Sequence, residues 1–164
     1  MPEPTPGSAT TTAPSRFSRR GVLTFGGVCS LSAGAVGTRW FNILAETGQA
    51  ALSAPEAHSA AITGDIFLID IRRPDEWALT GVGEAALPLD MRRPDFIDAL
   101  LVAVGDDRTR RIALICARGV RSRRQGAQLV EVGFKNILDV PEGMLGSGAG
   151  PGWIKRGLPL RKEI

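Results

Sequence analysis

Ile112-Ala113-Leu114-Ile115-Cys116-Ala117-Arg118-Gly119-Val120-Arg121-Ser122 runs from four apolar residues through a thiol into a polar turn with two arginines around a glycine. An unbroken apolar run bounded in this way is the pattern of a strand buried on both faces, as in a parallel sheet. Open α/β sheets bind their ligands beyond the carboxyl ends of the strands, so the residues after Ile115 stand where chemistry is expected. A thiol at that point, ahead of a helix amino terminus and close to two arginines, has its thiolate stabilised by backbone N–H groups and by positive charge. Gly119 supplies the φ > 0 that lets consecutive amides converge.

Working outward from this segment, the same alternation recurs. Ser53-Ala54-Pro55-Glu56 is a capping box, and with Gly64 as a stop it predicts a helix over 54–63. Ile66 to Ile71 is a second near-continuous apolar run, interrupted by Asp70. Pro74, with Asp75 and Glu76 behind it, opens another helix that Gly81 ends. A short strand fits Ala85 to Leu89, and Ile97, Leu100, Leu101 and Val104 follow Pro94 and Asp95 at helical spacing. Ala127, Leu129, Val130 and Phe134 mark a helix after the thiol loop, Ile137, Leu138 and Val140 a further strand, and a short helix is expected near Trp153. Strands alternating with helices predict an α/β fold, an open and mainly parallel sheet with helices on both faces.

The 164 residues are enough for one modest core. The formal charge of +3 falls to +1 once the first 35 residues, with three arginines and one glutamate, are set aside, which is no nucleic-acid signature. Two cysteines, Cys29 and Cys116, exclude a disulfide framework, and no CxxC or Cys/His cluster offers a metal site. No cofactor is expected.

Residues 1–15 are rich in Pro, Thr and Ser and are expected to be disordered. Ser18-Arg19-Arg20 and the weakly apolar run that follows, ending in Ala33-Gly34-Ala35, have the order of a secretory signal and resemble a twin-arginine export signal, from which Val22 and Thr24 depart. The stretch Gly21 to Val36, with four Gly, two Ser and a Thr, is too short and polar for a spanning helix. The expected organisation is a signal over 1–35, a linker over 36–52 and one domain over 53–164. The expected location is periplasmic or otherwise exported, with membrane contact only through an uncleaved signal. Cys116 would then be the one thiol of the mature chain.

Each candidate also has a plain structural reading. Cys116 could be a small buried hydrophobe ending a strand, but two arginines within five residues and the central Gly119 favour chemistry. His58, with no partner cluster in the sequence, reads as a surface residue. Arg108, Arg110 and Arg111 read as a solvated turn, and Trp77 and Trp153 as packing.

The segment from about Ser53 to Leu160 resembles a single rhodanese domain, the sulfurtransferase module. Leu68-Ile69-Asp70-Ile71-Arg72 with Glu76-Trp77 is similar to its early Asp-x-Arg and Glu-aromatic signature. Cys116 to Arg121 resembles its six-residue active-site loop, and Gly133-Phe134, Glu142-Gly143 and Gly152-Trp153 with Gly157-Leu158-Pro159 match its later landmarks. Thr80-Gly81-Val82-Gly83-Glu84-Ala85 departs from the family's Gly-His-Ile-x-Gly-Ala. The resemblance implies that Cys116 takes sulfane sulfur from a small anionic donor such as thiosulfate and passes it as a persulfide to a thiol or cyanide-like acceptor. It makes Arg121 and Arg118 donor-binding residues, gives the cradle for sulfur to the backbone of Ala117, Arg118, Gly119, Val120, Arg121 and Ser122, and makes Asp70 and Arg72 structural support.

Three other readings compete. Cys-dependent phosphatases carry Cys-x-x-x-x-x-Arg loops, and here Ser122 occupies the place of that arginine. A persulfide carrier or binding module without independent turnover fits the retained Cys116. A dithiol oxidoreductase lacks a second mature thiol.

Overall fold

The computed structural model describes residues 50–162. The signal of 1–35 and residues 36–49 of the linker lie outside them. The remaining linker residues are corrected: Ala50–Ala51 form an edge strand, β1, paired with the end of the sheet. Two alanines carry no strand pattern, so only the neighbouring strand reveals them.

The other elements are α1 (Ala54–Ile62), β2 (Phe67–Asp70), α2 (Pro74–Thr80), β3 (Val82–Gly83), β4 (Ala86–Pro88), α3 (Phe96–Val104), β5 (Arg111–Ile115), α4 (Val120–Glu131), β6 (Asn136–Asp139), α5 (Gly152–Lys155) and β7 (Leu160–Arg161). Five strands form a wholly parallel sheet in the order β1-β6-β5-β2-β4. All five therefore end at one edge, which gathers Asp70, Ile115 and Asp139 within two registers of each other: Asp70 lies opposite Ile115, and Leu114 opposite Asp139. β3 and β7 make a separate antiparallel pair that the sequence pattern did not predict.

Local chemistry accounts for the helix boundaries. Ser53 caps α1 through the reciprocal Glu56 contact. Pro74 opens α2, whose first turn holds Asp75 and Glu76, and α3 stops at Gly105 in the left-handed conformation.

Strand alternation divides the core. Leu68, Ala113, Ile115, Leu138 and Val140 face α1 and the indole of Trp153, while Ile69, Ile112, Leu114, Cys116 and Ile137 face α3 and α4. The buried stripe of α4 is Ser122, Gln125, Gly126 and Leu129; Ala127 and Val130, expected to mark its inner face, are exposed, and Phe134 lies beyond its end. A small and polar stripe lets this helix approach the strand ends closely, which is why hydrophobic periodicity misplaces its inner face.

Candidate active site

Cys116 follows the last residue of β5 and is 1% exposed. Alternation turns its side chain toward α4, and the first turn of that helix meets it. The Ser122 backbone N–H points to Sγ at 3.4 Å, and the thiol lies 3.5 Å from Ser122 Oγ, which itself donates to the Gly119 carbonyl at 3.1 Å. Gly119 caps α4 with φ of 79°, and a Cβ there would run into the Pro141 carbonyl, so no other residue fits this corner. Of the amides from Ala117 to Ser122, only that of Ser122 has a protein acceptor among the described residues, the sulfur itself.

A second loop, from Pro141 to Pro151, supports the first. The Met144 N–H donates to the Cys116 carbonyl at 2.8 Å and the Leu145 N–H to the Ala117 carbonyl at 2.9 Å. Gly143 permits this approach, since a Cβ would sit 2.5 Å from the Ala117 oxygen. The Glu142 side chain anchors the loop's start by accepting from the Ala54 and Gly152 amides and from Arg156. Burial works against its charge, but Arg156 and the two amides outweigh it and hold the carboxyl below its ordinary range.

The two loop arginines have different surroundings. Arg118 is exposed and reaches the Gly146 carbonyl at 3.4 Å, binding the two loops together. Arg121 is half-buried and holds Glu76 by two hydrogen bonds of 2.7 Å. That contact draws the Glu76 carboxyl down to about 2 and raises the Arg121 guanidinium. Arg73, Glu76, Met91, Arg92 and Arg121 line an open cleft of about 400 Å³ beside the loop. Val120 points outward and is 75% exposed, so it can offer the loop only its backbone.

Asp70 and Arg72 are both buried and form a side-on pair, Nε to Oδ1 at 2.9 Å and Nη2 to Oδ2 at 2.7 Å. Arg72 also donates to Thr80 Oγ1 and the Gly81 carbonyl, pinning the end of α2 to the sheet. Glu76, at the other end of this short helix, is thereby set against Arg121.

Several side chains depart from their plain readings. His58 is not simply at the surface: its Nε2 meets Glu84 at 2.9 Å and its ring stands edge-on to Trp153, in the core on the opposite face of the sheet from Cys116. Arg108 and Arg110 lie over the rings of Phe134 and Phe67, so this turn covers apolar edges as well as meeting solvent. The sequence reading also passed over Arg73, Met91 and Arg92, which come from separate turns and share no motif. It passed over Asp139 too, although a charge ending an apolar run was the available signal.

Residues 53–147 match the rhodanese-like domain. The chain belongs to the rhodanese-like domain family. Among curated proteins, it is 27% identical over 119 residues to an uncharacterized protein of Rickettsia conorii, covering 66% of this chain and 94% of that one. It is 33% identical over 81 residues to the tRNA uridine(34) hydroxylase of Nitrobacter hamburgensis, covering 49% of this chain but only 32% of the hydroxylase. Among solved structures, the polysulfide-sulfur transferase homodimer of Wolinella succinogenes shares 25% identity at a TM-score of 0.55, covering 80% of this chain and 91% of the other. The thiosulfate sulfurtransferase of Pseudomonas aeruginosa shares the fold at a TM-score of 0.54 and 19% identity, over 76% of this chain and 22% of that one. The mainly parallel α/β sheet of this protein is thus the rhodanese-like fold, shared with sulfurtransferases.

Proposed function

We propose that this rhodanese-like protein is a sulfurtransferase that carries sulfane sulfur on Cys116 from a small anionic, thiosulfate-like donor to a nucleophilic acceptor. The observation that carries the reading is the loop around Sγ: the Ser122 amide faces the sulfur, and the amides of Ala117 to Arg121 are unclaimed by protein acceptors among the described residues. Such a nest favours a sulfur that bears negative charge.

The Cys116 thiolate attacks the outer sulfur of the donor. A sulfur–sulfur bond forms, the donor's own sulfur–sulfur bond breaks, and sulfite leaves with the bonding pair. A thiolate or cyanide-like acceptor then attacks the outer sulfur of the persulfide, and the Cys116 thiolate departs with its electrons restored. Arg121 supplies positive charge at the cleft, and Arg118 holds the loop against the Gly146 turn. Phosphate chemistry is disfavoured because Ser122, buried and bonded to Gly119, stands where a phosphatase loop needs an arginine. The Ser18-Arg19-Arg20 segment adds an exported location to the proposal; with both arginines replaced by lysine, precursor accumulates in the cytoplasm.

Cys116→Ser tests the reading. The hydroxyl matches the thiol in shape but does not ionise near neutral pH, so thiosulfate-dependent sulfite release is abolished while the far-ultraviolet spectrum stays that of the folded protein. Wild-type turnover in this variant would move the nucleophile elsewhere.

A further inference from the structure

The cleft beside the thiol loop is larger than the proposed donor needs. Its volume of about 400 Å³ is of the class that takes whole small molecules, and a thiosulfate ion resting on Arg121 occupies only a small part of it. What remains is lined by Arg73, Glu76, Met91 and Arg92. Main-chain bonds fix where this lining lies. The Ile71 N–H donates to the Ile115 carbonyl at 3.0 Å and the Met91 N–H to the Ile71 carbonyl at 3.4 Å, so Met91 and Cys116 follow the same row of strand ends and pack against one face of the sheet.

The arginines are oriented but not used up. Arg92 is held side-on by Asp90, Nε to Oδ1 at 3.0 Å and Nη2 to Oδ2 at 2.6 Å. That grip takes one edge of the guanidinium; Nη1 has no acceptor among the described residues, so the end-on fork stays open to a carboxylate. The Arg92 side chain is 59% exposed, while Asp90, at 13%, stands off the lining. Arg73 is placed likewise: Nη2 meets Asp75 at 2.7 Å and Nε lies 3.4 Å from Glu76, which leaves its Nη1 unclaimed among the described residues. Glu76 is the one carboxylate on the lining, and Arg121 takes both of its oxygens. Met91 is the apolar member, a thioether that suits a carbon stem or another sulfur. Two open guanidinium edges and a thioether answer to a ligand with two carboxylates and a short apolar body that carries sulfur.

We propose that this cleft is the acceptor's site and selects a small thiol bearing two carboxylates, one on Arg92 and one on Arg73, with its carbon stem along Met91 and its sulfur toward Arg121 and the loop. The inference rests on Cys116 carrying the sulfur. The acceptor thiolate attacks the outer sulfur of the Cys116 persulfide: one sulfur–sulfur bond forms, the other breaks, Cys116 keeps the electron pair, and the acceptor leaves as its own persulfide. A neutral thiol meets the same chemistry without the two arginines, and cyanide uses none of this lining.

Two measurements on the full chain test it. Binding is read by isothermal titration with (methylthio)succinate, which has two carboxylates and a blocked sulfur, against (methylthio)acetate, which has one. The first should bind at least about tenfold more tightly, Arg92→Ala should remove that advantage, and Arg92→Lys, which keeps the charge without the fork, should restore only part of it. Transfer is read as kcat/KM for mercaptosuccinate and for 2-mercaptoethanol with thiosulfate as donor, compared at equal thiolate concentration. The wild type should favour the dicarboxylate by about tenfold, through KM, and Arg92→Ala should bring the ratio near unity. Taking the ratio within each protein cancels any general damage from the substitution. Equal binding of the two thioethers, or an acceptor ratio that Arg92→Ala leaves unchanged, overturns the proposal. If (methylthio)succinate binds as expected but no acceptor draws sulfur from Cys116, the proposed activity fails and the ligand class of the cleft stands. If sulfur moves with no preference among acceptors, the activity stands and this inference falls.

Discussion

Arg121 and Glu76 face each other as a two-bonded ion pair, both N–O distances 2.7 Å, where the active-site loop meets the cleft. The arginine expected to meet an anionic donor thus already has a counterion, delivered by a helix that Arg72 fixes to the sheet. An incoming anion competes with, or shares, a guanidinium whose other face Glu76 holds in place.

Glu76→Gln exposes this pair through pH. The carboxyl titrates at about 2 in the fold against an ordinary 4.5, so its stabilisation is complete above 4.5 and is lost as pH falls toward about 2. After allowance for solvent screening, the pair contributes about 2 kcal/mol. Urea unfolding at neutral pH should show the variant weaker by about that amount, with a shallower loss of stability between pH 4.5 and 2 than the wild type. Parallel acid limbs would contradict the ion pair.

Arg121→Ala leaves Glu76 facing the cleft without its counterion, so a donor anion meets repulsion as well as a missing bond. A charge-assisted hydrogen bond is worth about 1.5–3 kcal/mol, so kcat/KM for thiosulfate should fall between about ten- and a hundredfold. Adding Glu76→Gln should restore part of that loss by removing the repulsion. If the single variant keeps wild-type kcat/KM, Arg121 does not meet the donor.

Arg72→Ala strands the fully buried Asp70 and frees the turn after α2. Breaking a buried pair from one side costs about 3–5 kcal/mol. Denaturant titration should show a loss of this size, whereas Arg72→Ala together with Asp70→Ala should be less destabilised than the single change. An equal or larger loss in the double variant would mean the pair itself is not the source.

How much of this was legible in the sequence varies by element. β2 and β5 were plain because buried parallel strands are written as apolar runs, and α1 was plain because Ser53 and Glu56 announce its start. β1, β3 and β7 were not, since two-residue strands of alanine, Val82-Gly83 and Leu160-Arg161 exist only through their partners. The thiol loop was legible as a local motif. The Arg121–Glu76 contact was not, because the two residues are 45 apart and only the fold brings them together. Asp139 was passed over although it ends the apolar run of β6, because only the register with Leu114 places it at the same strand edge as the thiol loop.

The central claim, that Cys116 carries sulfur, is tested most directly by the mass of the Cys116 peptide after the purified protein is exposed to thiosulfate without an acceptor. The account predicts a gain of one sulfur atom on that peptide, removed by cyanide or a thiol and absent from the Cys116→Ser variant. A Cys116 peptide of unchanged mass, under conditions in which sulfite is released, would contradict it.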